Sequence, residues 1–233
     1  MEKTAIVTKI RSRISYNAPV IYTYAIICML ILALTSIFSG LHVFVESPAE
    51  FATDKVLFWL GLFTHIFGHS GWEHYAANFM LIVLIGPLLE EKYGSWWLIL
   101  MIITTSIITA LFNTLLFDHT VRGASGITFM FIILASYAGA KVNKIPFGFL
   151  LAILIFLSVE VVGMFNDDNI AHFSHLVGGG CGAFMASLYI KLQHKIQARR
   201  LAKQPSDEFA TEPSPAPINP ATGEIDLEKL LSD

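Results

Sequence analysis

The chain has 233 residues, of which 55% are hydrophobic and only 14% charged, with a mean hydropathy of +0.62. A soluble domain carries about a quarter charged residues, so most of this chain is read as having lipid for its solvent. The net charge of −3 decides nothing by itself. No basic, aromatic-interleaved patch points to nucleic acid, and Cys28 and Cys181 both fall inside apolar blocks. They read as packing residues rather than a disulfide or a metal pair.

Residues 1–19 are polar and basic, and the apolar block that follows begins at Val20. That block is longer than the core of a signal peptide and has no small-x-small cleavage site, so it reads as a retained span. Six spanning helices are predicted, at about 20–43, 74–91, 95–117, 125–141, 146–165 and 170–192. Those at 74–91 and 125–141 are short for a simple span, and are predicted to lie shielded inside the bundle. Residues 44–73 form a long loop whose stretch VLFWLGLFTHIF is too apolar for free solvation. It is expected to lie half-sunk in the interface, with Trp59 among its anchors. From 193 to 233 the chain turns basic, then Pro- and acid-rich (SDEFATEPSPAPINPATGE), and reads as a disordered cytoplasmic tail.

Charge orients this layout. With the N-terminus inside, Lys3, Lys9, Arg11, Arg13, Lys92, Lys141, Lys144 and the cluster Lys191, Lys195, Arg199, Arg200 and Lys203 are all cytoplasmic. Only Lys55 and Arg122 fall outside, as the positive-inside rule requires of an even number of spans. No unit repeats at a fixed period, which disfavours an inverted-repeat transporter.

Polar side chains within spans are costly and each poses a functional question. Ser125 lies in R-G-A-S-G at the start of the fourth span, between Gly123 and Gly126. Unpaired N–H groups at a helix start could stabilise an oxyanion there, although an ordinary N-cap serine gives the same pattern. His175 lies in A-H-F-S-H-L-V-G-G-G-C-G, with Gly178 and Gly182 at the small-xxx-small spacing that admits another helix. His74 and Asn78, four residues apart, share a face of the second span. They suit either an oxyanion hole, which needs neutral donors, or an interhelical clamp. No carboxylate lies within a span near His175, and Asp167 and Asp168 precede its helix. A serine–histidine dyad of Ser125 and His175 is therefore the economical reading.

The ordered set resembles the rhomboid family of intramembrane serine proteases. Gly123-Ala124-Ser125-Gly126 is similar to its G-x-S-G motif, His74-x-x-x-Asn78 to its H-x-x-x-N, and His175-x-x-Gly178-x-x-x-Gly182 to its sixth-span histidine and glycines. His65 and His69 stand where the family has loop-bracing histidines, and Gly86, Glu90 and Gly94 match its turn between spans two and three. The resemblance covers about residues 20–192. It implies an all-α, polytopic bundle of six transmembrane helices around a cavity open to the outer side. It also implies Ser125 as nucleophile, His175 as general base, and His74, Asn78 and the Ser125 N–H as oxyanion donors, with no cofactor or metal. Membrane proteins of one or several spans, and lipid, are the implied partners, in a bacterial cytoplasmic membrane with both termini inside.

Two positions depart from the family. Its Trp-Arg pair in the first outer loop is replaced near Leu60-Gly61, and its tyrosine four residues after the nucleophile is Phe129. His172 is a rival base; the glycine register favours His175, leaving His172 at lipid headgroups or the cavity mouth. The alternatives are an inactive rhomboid-like protein that binds membrane clients, and a metal or proton transporter built on His65, His69, His74, His172 and His175.

Overall fold

A computed structural model describes residues 16–137 and 172–201, with isolated positions between 145 and 158. The predicted span at 146–165, apart from those positions, lies outside the described residues, as do residues 1–15 and 202–233. Among the described residues the chain is all helical: α1 Pro19–Ile37, α2 Val56–Thr64, α3 Trp72–Tyr93, α4 Ser95–Leu116, α5 Ser125–Ser136 and α6 His172–Leu201. Short 3-10 turns cover Ser39–Phe44 and His65–Phe67. Four of these helices are long and apolar enough to cross a membrane, namely α1, α3, α4 and α6. The chain is thus a polytopic helical membrane protein.

Pro19 opens α1, where its missing N–H costs nothing. No α1 side chain caps the first turn. Instead the buried Glu90 carboxylate, near the end of α3, accepts from Val20 N at 3.1 Å and Ile21 N at 3.2 Å. It also accepts from Ser95 Oγ at 2.6 Å, joining the starts of α1 and α4 to the end of α3. Gly86 makes room for the Ile21 side chain of α1, since a Cβ there would meet its Cδ1 at 2.7 Å. Gly94, at φ +80°, supplies the left-handed residue that turns α3 directly into α4.

The two helices read as short differ from expectation in opposite ways. Helix α3 has 22 residues, about 33 Å at 1.5 Å per residue, and crosses a bilayer unaided. It accordingly shows Met80, Leu84 and Leu88 to lipid and turns Asn78, Phe79, Ile82, Leu89 and Glu90 inward, so the prediction of an enclosed α3 is corrected. Helix α5 is enclosed: Ile127, Thr128, Met130, Phe131, Ile133 and Leu134 are buried within its 12 residues. Helix α1 ends at Ile37, short of the predicted 43, as Phe38 leaves helical geometry before Ser39-Gly40. Helix α6 runs past the predicted end at 192 to Leu201; its last turns are polar but include no Gly or Pro to stop them. By contact the chain forms one compact unit, Met1–Ile190, and a second, Lys191–Asp233, whose described part is the end of α6.

Candidate active site

Ser125 is the first residue of α5. The approach to it bends at Gly123, where φ is +140°, a conformation that L side chains avoid. The same glycine makes room for His74, because a Cβ there would lie 2.7 Å from Cε1 and 2.8 Å from Nε2 of that ring. Ser70 Oγ lies 3.0 Å from His74 Nδ1. With the Ser70 hydroxyl donating, the ring proton resides on Nε2, at the edge facing Gly123.

Asn78 is buried one turn further along α3. Its Nδ2 donates to His74 O at 2.9 Å, and its Oδ1 accepts from Thr128 Oγ1 at 3.1 Å. Asn78 therefore clamps α3 to α5, while a primary amide keeps a second N–H for another acceptor. Sequence reasoning missed Thr128; its place one turn after Ala124, to whose carbonyl it also bonds at 3.0 Å, was the available signal.

Helix α6 meets α5 through glycine. A Cβ at Gly178 would fall 2.8 Å from both C and Cα of Gly126, and one at Gly182 would fall 2.7 Å from Met130 O. The reciprocal contact at Gly126 is with Ser174 O, which a Cβ on that glycine would approach to 3.4 Å. Both glycine contacts advance together along the two helices, which thus run in the same direction with their first turns adjacent. His175 is buried in that turn, its ring 4.6 Å from the Phe129 ring at 33°. Phe129 stands four residues after Ser125 and shares its face of α5. His172 is also buried, 6.1 Å from the His175 ring between centroids; the expectation that it meets lipid headgroups is corrected.

Ser125 borders a small open cleft, with His65, Ile66, Thr109, Val121, Arg122, Gly123, Gly126, Ile127 and Ser174 around it. His65 ties this wall together: Nδ1 donates to Gly61 O at 3.0 Å, Nε2 lies 3.5 Å from Thr109 Oγ1, and its carbonyl accepts from Gly123 N at 3.0 Å. His69 is 1% exposed, among the rings of His74, Tyr75 and Phe79 at 5.2–5.7 Å. Neither of its ring nitrogens has a hydrogen-bond partner among the described residues. Burial pushes both loop histidines down to about 4, with the nearby His74 adding to the effect at His69, so both rings are neutral at neutral pH. Among the described residues no three His, Cys, Asp or Glu side chains gather to hold a metal ion.

The departure at Leu60-Gly61 has a packing reason. A Cβ at Gly61 would collide with Glu46 O at 2.6 Å and crowd Pro48 Cδ at 3.0 Å, so α2 and the segment before it press together there.

The family model described as Rhomboid domain matches residues 57–192, a stretch that contains Ser125, His175, His74 and Asn78. The chain belongs to the rhomboid family. Rhomboids are an intramembrane protease family, and the apolar helices described above are those of such a membrane protein. The match starts after α1 and ends within α6. No curated protein matches the chain.

Proposed function

We propose that this rhomboid is an active serine endopeptidase that cleaves transmembrane segments of other membrane proteins. Ser125 Oγ attacks the scissile carbonyl while His175 accepts the hydroxyl proton. The new oxyanion is held by the Ser125 N–H, His74 Nε2–H and the remaining Asn78 N–H. Collapse breaks the C–N bond, and His175 returns the proton to the leaving amine. Water, deprotonated by His175, then attacks the Ser125 ester; as the C–O bond to Ser125 breaks, His175 returns the proton to Oγ and the new carboxyl product leaves. Protein side chains and water suffice for each step.

One observation carries this reading: the Gly126–Gly178 contact brings the first turns of α5 and α6 together, with His175 against Phe129 on the Ser125 face. The positions of His74 beside Gly123 and of Asn78 at Thr128 support the oxyanion assignment. Six spans with both termini cytoplasmic, in a bacterial cell membrane, complete the proposal, supported by the distribution of Lys and Arg.

The test is cleavage of a single-span substrate in proteoliposomes, with labelling by a serine-directed fluorophosphonate. Ser125→Ala and His175→Ala are each expected to lower kcat by at least about 10⁴-fold while the protein stays folded. Ser125→Ala should also abolish labelling. Wild-type turnover in either variant would refute the dyad. A folded wild type that neither labels nor cleaves would favour the inactive, client-binding reading.

A further inference from the structure

Ser125 is held from the side by a part of the outer loop that none of the catalytic motifs contains. Three residues before it, Arg122 forms an ion pair with Glu46, Nη1 to Oε1 at 2.6 Å, the side chains being 28% and 24% exposed. Next to this pair, Ser47 N donates to Val121 O at 2.8 Å and Val121 N donates to Ser47 Oγ at 2.9 Å. Two successive residues of one segment thus grip two of the other.

The grip is useful only if its far side is fixed, and it is. Gly61 of α2 presses on Glu46 O and Pro48, Thr114 Oγ1 of α4 donates to Pro48 O at 2.8 Å, and Ser47 is 1% exposed. Gly68 brings the loop against Val45 on one side and within 3.2 Å of Arg122 Cβ on the other, measured from its would-be Cβ. Segment 46–48 is therefore a platform fixed by two helices. From it the chain has only Gly123 and Ala124 to cross before the nucleophile, and Gly123 has the widest backbone freedom of any residue. The Gly123 N–H bond to His65 O and the Asn78–Thr128 and Gly126–Gly178 contacts hold α5 beyond this joint, and the clasp fixes the segment that leads into it.

We infer that Glu46 and Arg122 are positioning residues that set where Ser125 Oγ stands. They touch none of the reacting atoms, although Arg122 also borders the cleft beside Ser125. Their effect travels through Val121–Ala124 to the nucleophile, and it rests on the proposal that Ser125 is that nucleophile. Displacing a catalytic group by about 1 Å can cost on the order of 10²-fold in rate, so a loosened clasp lowers turnover more than binding.

The experiment compares Glu46→Gln, Arg122→Lys and the exchanged pair Glu46→Arg/Arg122→Glu in the full-length protein. Three quantities are read: kcat and KM on a single-span substrate, the second-order rate of fluorophosphonate labelling, and Tm. Each single variant should lower kcat and labelling rate by about tenfold with KM within about twofold, and the exchanged pair should recover most of both. Glu90→Gln, which weakens a distant tie between helices, should lower Tm while leaving the labelling rate unchanged. Wild-type labelling in Glu46→Gln and Arg122→Lys would overturn the inference, as would rates in all variants that follow Tm alone. An unlabelled wild type would instead refute the assignment of Ser125, a different result from either. Glu46→Gln keeps the shape of the side chain, so it carries the test if the exchanged pair does not fold.

Discussion

Adding one methyl group at Gly178 tests the contact on which the site is built. In Gly178→Ala the new Cβ would start 2.8 Å from both C and Cα of Gly126, and closer still to its carbonyl oxygen. Carbon atoms rest at about 3.5–4.0 Å, and these are backbone atoms that no rotamer change can move aside. The helices must part by on the order of 1 Å, an overpacking that costs about 1–3 kcal/mol. Alanine in a helix otherwise gains about 0.5–1 kcal/mol over glycine, which offsets only part of that cost. The same shift carries His175 away from Ser125 and should lower kcat by up to about 10²-fold. The assay is substrate cleavage in proteoliposomes together with Tm in detergent. Gly180→Ala is the control, since a Cβ there meets nothing within 4 Å; it should keep activity and gain slightly in stability. Wild-type kcat and Tm in Gly178→Ala would refute the packing argument and with it the reason for preferring His175 to His172.

Glu90→Ala strands the buried amides at the start of α1 and should cost about 1–3 kcal/mol, measured as a lower Tm with unchanged fluorophosphonate reactivity per folded molecule. The outer loop should also loosen in acid. His65 and His69 are held down to about 4 from an ordinary 6.5, so the unfolded loop binds more protons between those values. Loop stability is then complete above about pH 6.5 and falls as pH drops through 4, by up to roughly 3 kcal/mol for each ring. Hydrogen exchange of the amides of residues 61–69 reads this directly; protection that does not change with pH would contradict it, and His69→Phe should flatten part of the dependence.

The parts of the site legible in sequence were those encoded at helical spacing. His74 with Asn78 and His175 with Gly178 and Gly182 are local patterns, and local periodicity survives folding because it is a property of one helix. The contact of Phe129 with His175 was implied by the family resemblance, which has a ring four residues after the nucleophile, and not by spacing alone. The clasp of Glu46 and Ser47 on Val121 and Arg122 was not legible, since its partners lie 74 and 76 residues apart and neither side has a periodic signature. A hint existed: Arg122 is one of two cations read as lying on the outer side, and a cation beside a buried turn calls for an acid from another segment. Burial of His172 and exposure of one face of α3 depend on which neighbours arrive, which hydropathy does not specify. The continuation of α6 to Leu201 was missed because loss of apolar character marks the edge of a membrane and not the end of a helix.

The Glu90 tie also bears on how the protein is made. The amides of Val20 and Ile21 wait for an acceptor 69–70 residues later in the chain. At about 5–20 residues per second of synthesis, that delay is roughly 4–14 s. During it, the newborn first helix must keep its leading turn at a wet boundary or against another protein. Biogenesis thus has an ordering step in which α1 is provisional until the end of α3 has been translated, and a Glu90 variant would leave that step less firmly completed, with α1 inserted on time but more loosely secured.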